Sequence, residues 1–251
     1  MPYIKQEIYS GDVYEGIQTF STRIGKKNKR NSKNSKSSEK QKIINEKNAK
    51  KKLARWINAN FRKGDIFLTL TYAGQAPEEE QARKDLVNFF RRVKYYRKKN
   101  GLPDIKYIAV TESENKRIHH HVIMSAMSMD TITDLWGAGK AIMSRLTPDK
   151  DYTGLAKYIT KEPAKEFAKR WTQSRNLQKP VIKIRQLKTG RNILKAPKGY
   201  KIIEQRLDYT DWTGQYQYIR AIKIGGIDYC EGWEGSTGNL APPKRVRKKK
   251  L

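Results

Sequence analysis

The sequence predicts an α+β fold: a central antiparallel sheet backed by helices, with basic flexible extensions. Three observations carry this. Between residues 66 and 162, apolar β-branched runs and helical-period runs alternate in the order strand, helix, strand, strand, helix, an order that packs as a sheet with helices against it. The two adjacent strands are separated only by a short charged turn, SENKR, which favours an antiparallel hairpin over a parallel crossover. The segment KKNKRNSKNSKSSEKQK (26–42) is too polar to be ordered by apolar burial, and 234–251 is Gly/Pro-punctuated and ends in a flexible basic tail, PPKRVRKKKL.

Each element has its own signal. Residues 3–23 hold strand-like material, with Ile4, Ile8, Val13, Ile17 and Phe20 set among polar residues. Over 41–61, Ile43, Ile44, Leu53, Ala54, Trp56, Ile57 and Phe61 suggest a helix with one buried side, broken at Gly64-Asp65. IFLTLTY (66–72) reads as a buried strand. Pro77 and three glutamates open a helix over 77–99, whose Leu86, Phe89, Phe90, Val93 and Tyr96 recur at helical spacing and mark a core face. It ends at Asn100-Gly101. IKYIAVTE (105–112) and IHHHVIMS (118–125) are the hairpin strands. Residues 129–146 read as mainly helical, interrupted at Gly137 and Gly139. A helix over 152–162 stops at Pro163, which can itself start another through Trp171. Beyond 180, VIKIRQL, GYKIIEQRL and YQYIRAIKI read as strands. The expected organisation is a basic N-terminal region (1–63), a core (64–175) and C-terminal strands with a basic tail (176–251).

Lys and Arg number 54 against 25 acids, a net charge of +29. So large an excess opposes compaction through self-repulsion, and a polyanionic partner relieves it by releasing counterions. A nucleic acid is therefore expected, held in part by the tail residues Lys244, Arg245, Arg247, Lys248, Lys249 and Lys250. Residues 26–42 are either a solvated linker or a further arm on that partner. The single cysteine, Cys230, excludes an intrachain disulfide and a cysteine-built zinc site. MPYIKQEIYS lacks the apolar run of a signal peptide, and no stretch approaches the ~18 apolar residues of a membrane span. The expectation is a soluble cytoplasmic protein with no membrane partner.

All three histidines are consecutive: His119, His120 and His121. Side chains alternate along a strand, so His119 and His121 project together and His120 points away. Two imidazoles one pleat apart can reach one divalent ion. No other histidine or cysteine is available, so a further ligand must be an oxygen donor. Glu112, which closes the preceding strand, is the first choice and Glu114 the alternative; an ion pair of Glu112 with Lys116 or Arg117 is the competing role. Two nitrogens and a carboxylate suit Mn²⁺ or Mg²⁺ better than a closed structural zinc site. Downstream, Tyr158 and Lys161 in GLAKYITKE share a helix face. A phenol with a pKa near 10 is a poor nucleophile at neutral pH unless a nearby cation favours its anion.

Taken together, these residues resemble the HUH endonuclease superfamily, specifically rolling-circle replication initiators of plasmids and single-stranded phages. Phe67–Thr71 looks like the first motif and His119-His120-His121 like the His–bulky–His motif. Here His120 takes a middle position that is usually hydrophobic. Tyr158-Ile-Thr-Lys161 looks like the tyrosine motif, and Glu112 matches the family's additional acidic ligand. The resemblance covers about residues 66–162. A tyrosine downstream of the histidines, and no third ligand histidine, separate the chain from conjugative relaxases, although Tyr3, Tyr9 and Tyr14 leave that arrangement formally open.

The resemblance implies an HUH/RRM-like sheet and Mn²⁺ or Mg²⁺ on His119, His121 and Glu112. It also implies a single-stranded DNA origin as substrate, Tyr158 as nucleophile assisted by Lys161, and Lys157 as a DNA contact. A host helicase or replication factors would be partners, in a prokaryotic cytoplasm. The competing readings are a non-catalytic nucleic-acid-binding protein, a nuclease or RNA-processing enzyme that uses water, and a mobilisation relaxase.

Overall fold

The computed structural model describes residues 3–21, 38–113, 117–147, 151–161, 170–190, 192–210 and 214–224. Among them, four helices and two five-stranded antiparallel sheets make an α+β fold. The expected tail, most of the 26–42 segment and the start of the helix proposed after Pro163 lie outside the described residues.

The first sheet comprises β3 (Ile66–Leu70), β4 (Tyr107–Glu112), β5 (His119–Met124), β6 (Ala141–Arg145) and the two-residue β7 (Thr172–Gln173), in the order β6-β3-β5-β4-β7. β4 and β5 form the expected hairpin, with Ile108 opposite Ile123 and Glu112 opposite His119. One face is covered by α2 (Glu79–Lys99) and α3 (Met129–Trp136), where Leu86, Phe89, Phe90 and Val93 meet Leu68, Val122 and Met124. Glu79 and Glu80 in the first turn of α2 and Arg97, Lys98 and Lys99 in its last complement the helix dipole. Pro77 precedes this helix rather than opening it, and Gly101 at φ 65° ends it. Phe89 is fully buried, so Phe89→Ala would cost about 3–5 kcal/mol.

The opposite face carries the functional residues and is covered by α1 (Glu39–Asn60) and α4 (Thr153–Ile159). Ser38 caps α1 by accepting the Gln41 N–H, which sets a start slightly ahead of the apolar pattern. Leu53, Ile57 and Phe61 pack with Ile108, Val110 and Ile123 of the sheet and with Ala156 and Ile159 of α4.

The second sheet pairs strands from early and late in the sequence. Its strands are β1 (Tyr3–Ser10), β2 (Val13–Phe20), β8 (Val181–Leu187), β9 (Tyr200–Thr210) and β10 (Gly214–Lys223), in the order β8-β1-β2-β10-β9. It meets α1 through ionic contacts rather than a broad apolar seam. The Arg55 guanidinium donates to both Glu15 carboxylate oxygens at 2.9 and 2.7 Å, and Lys51 lies over the Tyr218 ring.

Three expectations need correction. Residues 129–146 are not mainly helical: α3 stops at Trp136, where Gly137 turns left-handed at φ 63°, and 141–145 form an edge strand on β3. Periodicity could not reveal this, because the strand is specified by its partner: the Thr71 and Ala73 N–H groups donate to the Lys140 and Ala138 carbonyls. The helix over 152–162 is shorter than expected, with Thr160 as its cap, so Lys161 lies just past the helix. Arg170 and Trp171, the last residues of the helix expected after Pro163, are not helical and lead directly into β7.

Candidate active site

Glu112, His119 and His121 come together where β4 and β5 meet the β4–β5 turn. Alternation puts both imidazoles on the α1/α4 face. Glu112 Oε2 is 3.4 Å from His119 Nε2, and Oε1 is 3.5 Å from His121 Nε2. One ligand atom from each of the three residues lies within 4.8 Å of the others. The carboxylate is almost fully buried, yet neither oxygen accepts a hydrogen bond among the described residues.

Arrangement and chemistry suit a divalent cation. His119 Nδ1 lies 2.9 Å from the Arg117 carbonyl. That oxygen can only accept, so Nδ1 carries a proton and Nε2 is the ring nitrogen turned toward Glu112. Thr69 Oγ1 lies 3.2 Å from His121 Nδ1, and the Phe67 ring stacks on that imidazole at 5.5 Å, so the second ring is also held.

His120 enters the opposite core and is fully buried. Its Nε2 lies 2.9 Å from Tyr72 Oη and its Nδ1 2.9 Å from Thr111 Oγ1. Both partners are hydroxyls, which donate or accept, so a neutral ring is satisfied in either tautomer. Burial, with a smaller contribution from His119, pushes its pKa down to about 4, so the ring is neutral near pH 7. A core-facing middle position accounts for the hydrophobic residue expected there, and two hydroxyls let a histidine replace it.

Tyr158 lies beside this cluster. Its ring is 5.4 Å from that of His121 and 6.1 Å from that of Phe67, and the residue is 50% exposed. Lys161 Nζ lies 4.9 Å from the Tyr158 ring centroid and 3.5 Å from Glu112 Oε2. Both residues thus face the cluster, although the lysine arrives from the turn after α4. The N-terminus of α4 is clamped. Asn58 Oδ1 accepts the Tyr152 N–H at 2.7 Å, and Asp151 accepts from Asn58 Nδ2 and Thr153 while pairing with Arg220 of β10 at 3.1 Å.

Tyr152, Tyr3, Tyr9 and Tyr14 lie away from the cluster. Tyr152 is buried and donates to the Thr147 carbonyl; Tyr3, Tyr9 and Tyr14 belong to the second sheet. Arg117 donates to the Gly74 carbonyl rather than to Glu112. Lys157 is exposed in the last turn of α4. Glu114, Lys116, Lys244, Arg245, Arg247, Lys248, Lys249 and Lys250 lie outside the described residues. The supporting roles of Phe67 and Thr69 were missed, although alternation along IFLTL puts both on one face.

Fold and site define an α+β protein with a buried Glu–His–His cluster able to hold a divalent metal. Residues 65–163, from the start of β3 to just past α4, match the family model Replication-associated protein ORF2/G2P. The matched region holds the whole cluster together with Tyr158 and Lys161, and its similarity to replication-associated proteins supports a replication initiator of the Rep type. No curated protein and no solved structure matches the chain.

Proposed function

We propose that the protein is a metal-dependent endonuclease and strand transferase that nicks single-stranded DNA at a replication origin and so initiates rolling-circle replication. The observation that carries this reading is Tyr158, a half-exposed phenol beside the His121 ring, with one ammonium group, that of Lys161, near both its ring and Glu112.

Glu112, His119 and His121 would hold Mn²⁺ or Mg²⁺, and a cation bound there supplies Lewis-acid stabilisation of charge on the scissile phosphate. Thr69 and the Arg117 carbonyl keep the two imidazoles oriented. Tyr158 Oη attacks phosphorus in line: the Oη–P bond forms and the P–O3′ bond breaks. The phenol proton passes to solvent, and the departing 3′-oxygen takes one up. The products are a 5′-phosphotyrosine and a free 3′-hydroxyl that primes synthesis. Attack by a 3′-hydroxyl reverses the step and rejoins the strand. The Lys161 ammonium favours both the phenolate and the charge developing on phosphate.

In this reading residues 64–175 are the endonuclease core. Lys157 and the tail residues 244–250 hold the substrate backbone, and host replication factors act with the protein in a prokaryotic cytoplasm. Among the described residues no helix is long and apolar enough to cross a membrane. The test is to incubate the full chain with a single-stranded DNA library and Mn²⁺, denature it, and digest the DNA-linked species. A phosphotyrosyl peptide containing Tyr158 is expected. Cleavage with no covalent adduct would instead mean attack by water.

A further inference from the structure

A groove of about 500 Å³ runs between α1 and β7 on the face of the first sheet that carries the metal-ligand cluster, lined by Asn48, Lys52, Trp56, Arg170, Trp171 and Gln173. Trp56 and Trp171 are partly buried against the α1/α4 core, so their indoles form fixed walls rather than mobile side chains. Trp171 is oriented further by donating its Nε1–H to Gln173 Oε1 at 2.8 Å. A second cleft of about 320 Å³ shares Arg170, Trp171 and Gln173 but opens on the α2 side of the sheet, away from the cluster. Thr172 pairs with Ala109, three residues before Glu112 on β4, which puts the groove roughly 10 Å along the strand from the cluster.

The chemistry of the lining is uneven. Arg170 Nη1 is buried and has no hydrogen-bond partner among the described residues. Glu46 lies within electrostatic reach of Arg170 and pairs with Lys50 at 2.6 Å. Arg170 lines the groove, and a guanidinium fork matches the oxygens of a phosphate. Two fixed indoles next to that cation, with Asn48 and Gln173 as amide donors and acceptors, match a nucleobase joined to its phosphate.

We propose that this groove is a nucleotide-binding subsite for single-stranded DNA, in which one base stacks on Trp171 or Trp56 and the adjoining phosphate is held by Arg170 and Lys52. The inference rests on the single-stranded DNA substrate proposed above, and it adds an anchoring point off the tyrosine–metal centre. Such an anchor fixes the register of the strand relative to Tyr158 without itself touching the reacting atoms.

The test uses the full chain in EDTA, so that binding is measured apart from cleavage, with a fluorescein-labelled oligothymidylate and an abasic oligomer of equal length. Arg170→Gln should weaken oligothymidylate binding and reduce the slope of log K against log salt by about 0.7, the loss of one single-strand phosphate contact. Trp171→Leu should weaken oligothymidylate binding about 5-fold or more yet bind the abasic oligomer as the wild type does, and Trp171→Phe should restore most of the loss. Thermal midpoints identify any variant that fails to fold, and Arg170→Gln keeps the test open if Trp171→Leu does. Equal losses on both oligomers, or an unchanged salt slope in Arg170→Gln, would overturn the subsite. A wild-type chain that forms no adduct with Mn²⁺, but whose variants behave as described, would keep the groove and remove the nicking function; the converse result would keep nicking and remove the groove.

Discussion

Glu112 and His119 face each other across the last rung of the β4–β5 ladder, with Oε2 3.4 Å from Nε2 and the His119 Nδ1 proton committed to the Arg117 carbonyl. A buried carboxylate and two imidazole nitrogens converge here as a metal-ligand set, so the site should respond to metal. Mn²⁺ at 100 times its Kd should stabilise the wild type by about 2.7 kcal/mol through linkage. Glu112→Gln keeps the shape but loses the charge, and its thermal midpoint should not move with Mn²⁺. A midpoint that rises equally in both proteins would place the metal elsewhere.

His120 should matter for folding rather than for metal. His120→Ala opens a cavity and strands the Tyr72 and Thr111 hydroxyls in a buried setting, which together cost about 2–4 kcal/mol. Urea denaturation measures the loss, and Mn²⁺ titration of the folded fraction should give wild-type affinity. A loss under about 0.5 kcal/mol would contradict the buried hydrogen-bonded ring.

Asn58 ties α1 to the start of α4 through the Tyr152 N–H and Asp151. Asn58→Ala leaves a buried N–H without its acceptor, and stability should fall by about 1–3 kcal/mol. Nicking should slow because the helix carrying Tyr158 is less well held, while Mn²⁺ affinity stays unchanged. Normal nicking in a destabilised Asn58→Ala protein would show that the clamp serves the fold alone.

Lys161 sits 3.5 Å from Glu112 and beside the Tyr158 ring. Lys161→Ala should slow adduct formation about 10- to 100-fold without abolishing it, since a positioned charge assists the transfer but forms no bond. Single-turnover rates at saturating protein report this directly. A complete loss of adduct with metal binding intact would mean the ammonium does more than offset charge.

Much of this arrangement was legible in the sequence because it depends on local periodicity. Alternation alone assigns His119 and His121 to one face and His120 to the other, and the short SENKR turn makes the hairpin that brings Glu112 opposite His119. What depends on distant partners was not legible. Residues 141–145 become a strand only by pairing with β3, and β7 is two residues held against Ala109 and Ile108. The second sheet pairs Ile8 with Ile182 and Gln18 with Gln217, contacts no local pattern encodes. The Asn58–Asp151–Arg220 clamp likewise joins three elements far apart in the chain.

The most direct test of the central claim is adduct formation by Tyr158→Phe in the full chain with Mn²⁺ and the single-stranded library. The change removes one oxygen from a half-exposed ring, so folding, metal affinity and DNA affinity should stay near wild type. Nicking and the denaturation-resistant adduct should both disappear, and peptide mapping of the wild-type adduct should find the DNA on Tyr158. An adduct that persists in Tyr158→Phe, or that maps to Tyr152 or to a tyrosine of the second sheet, would contradict the assignment even with the Glu112–His119–His121 site intact.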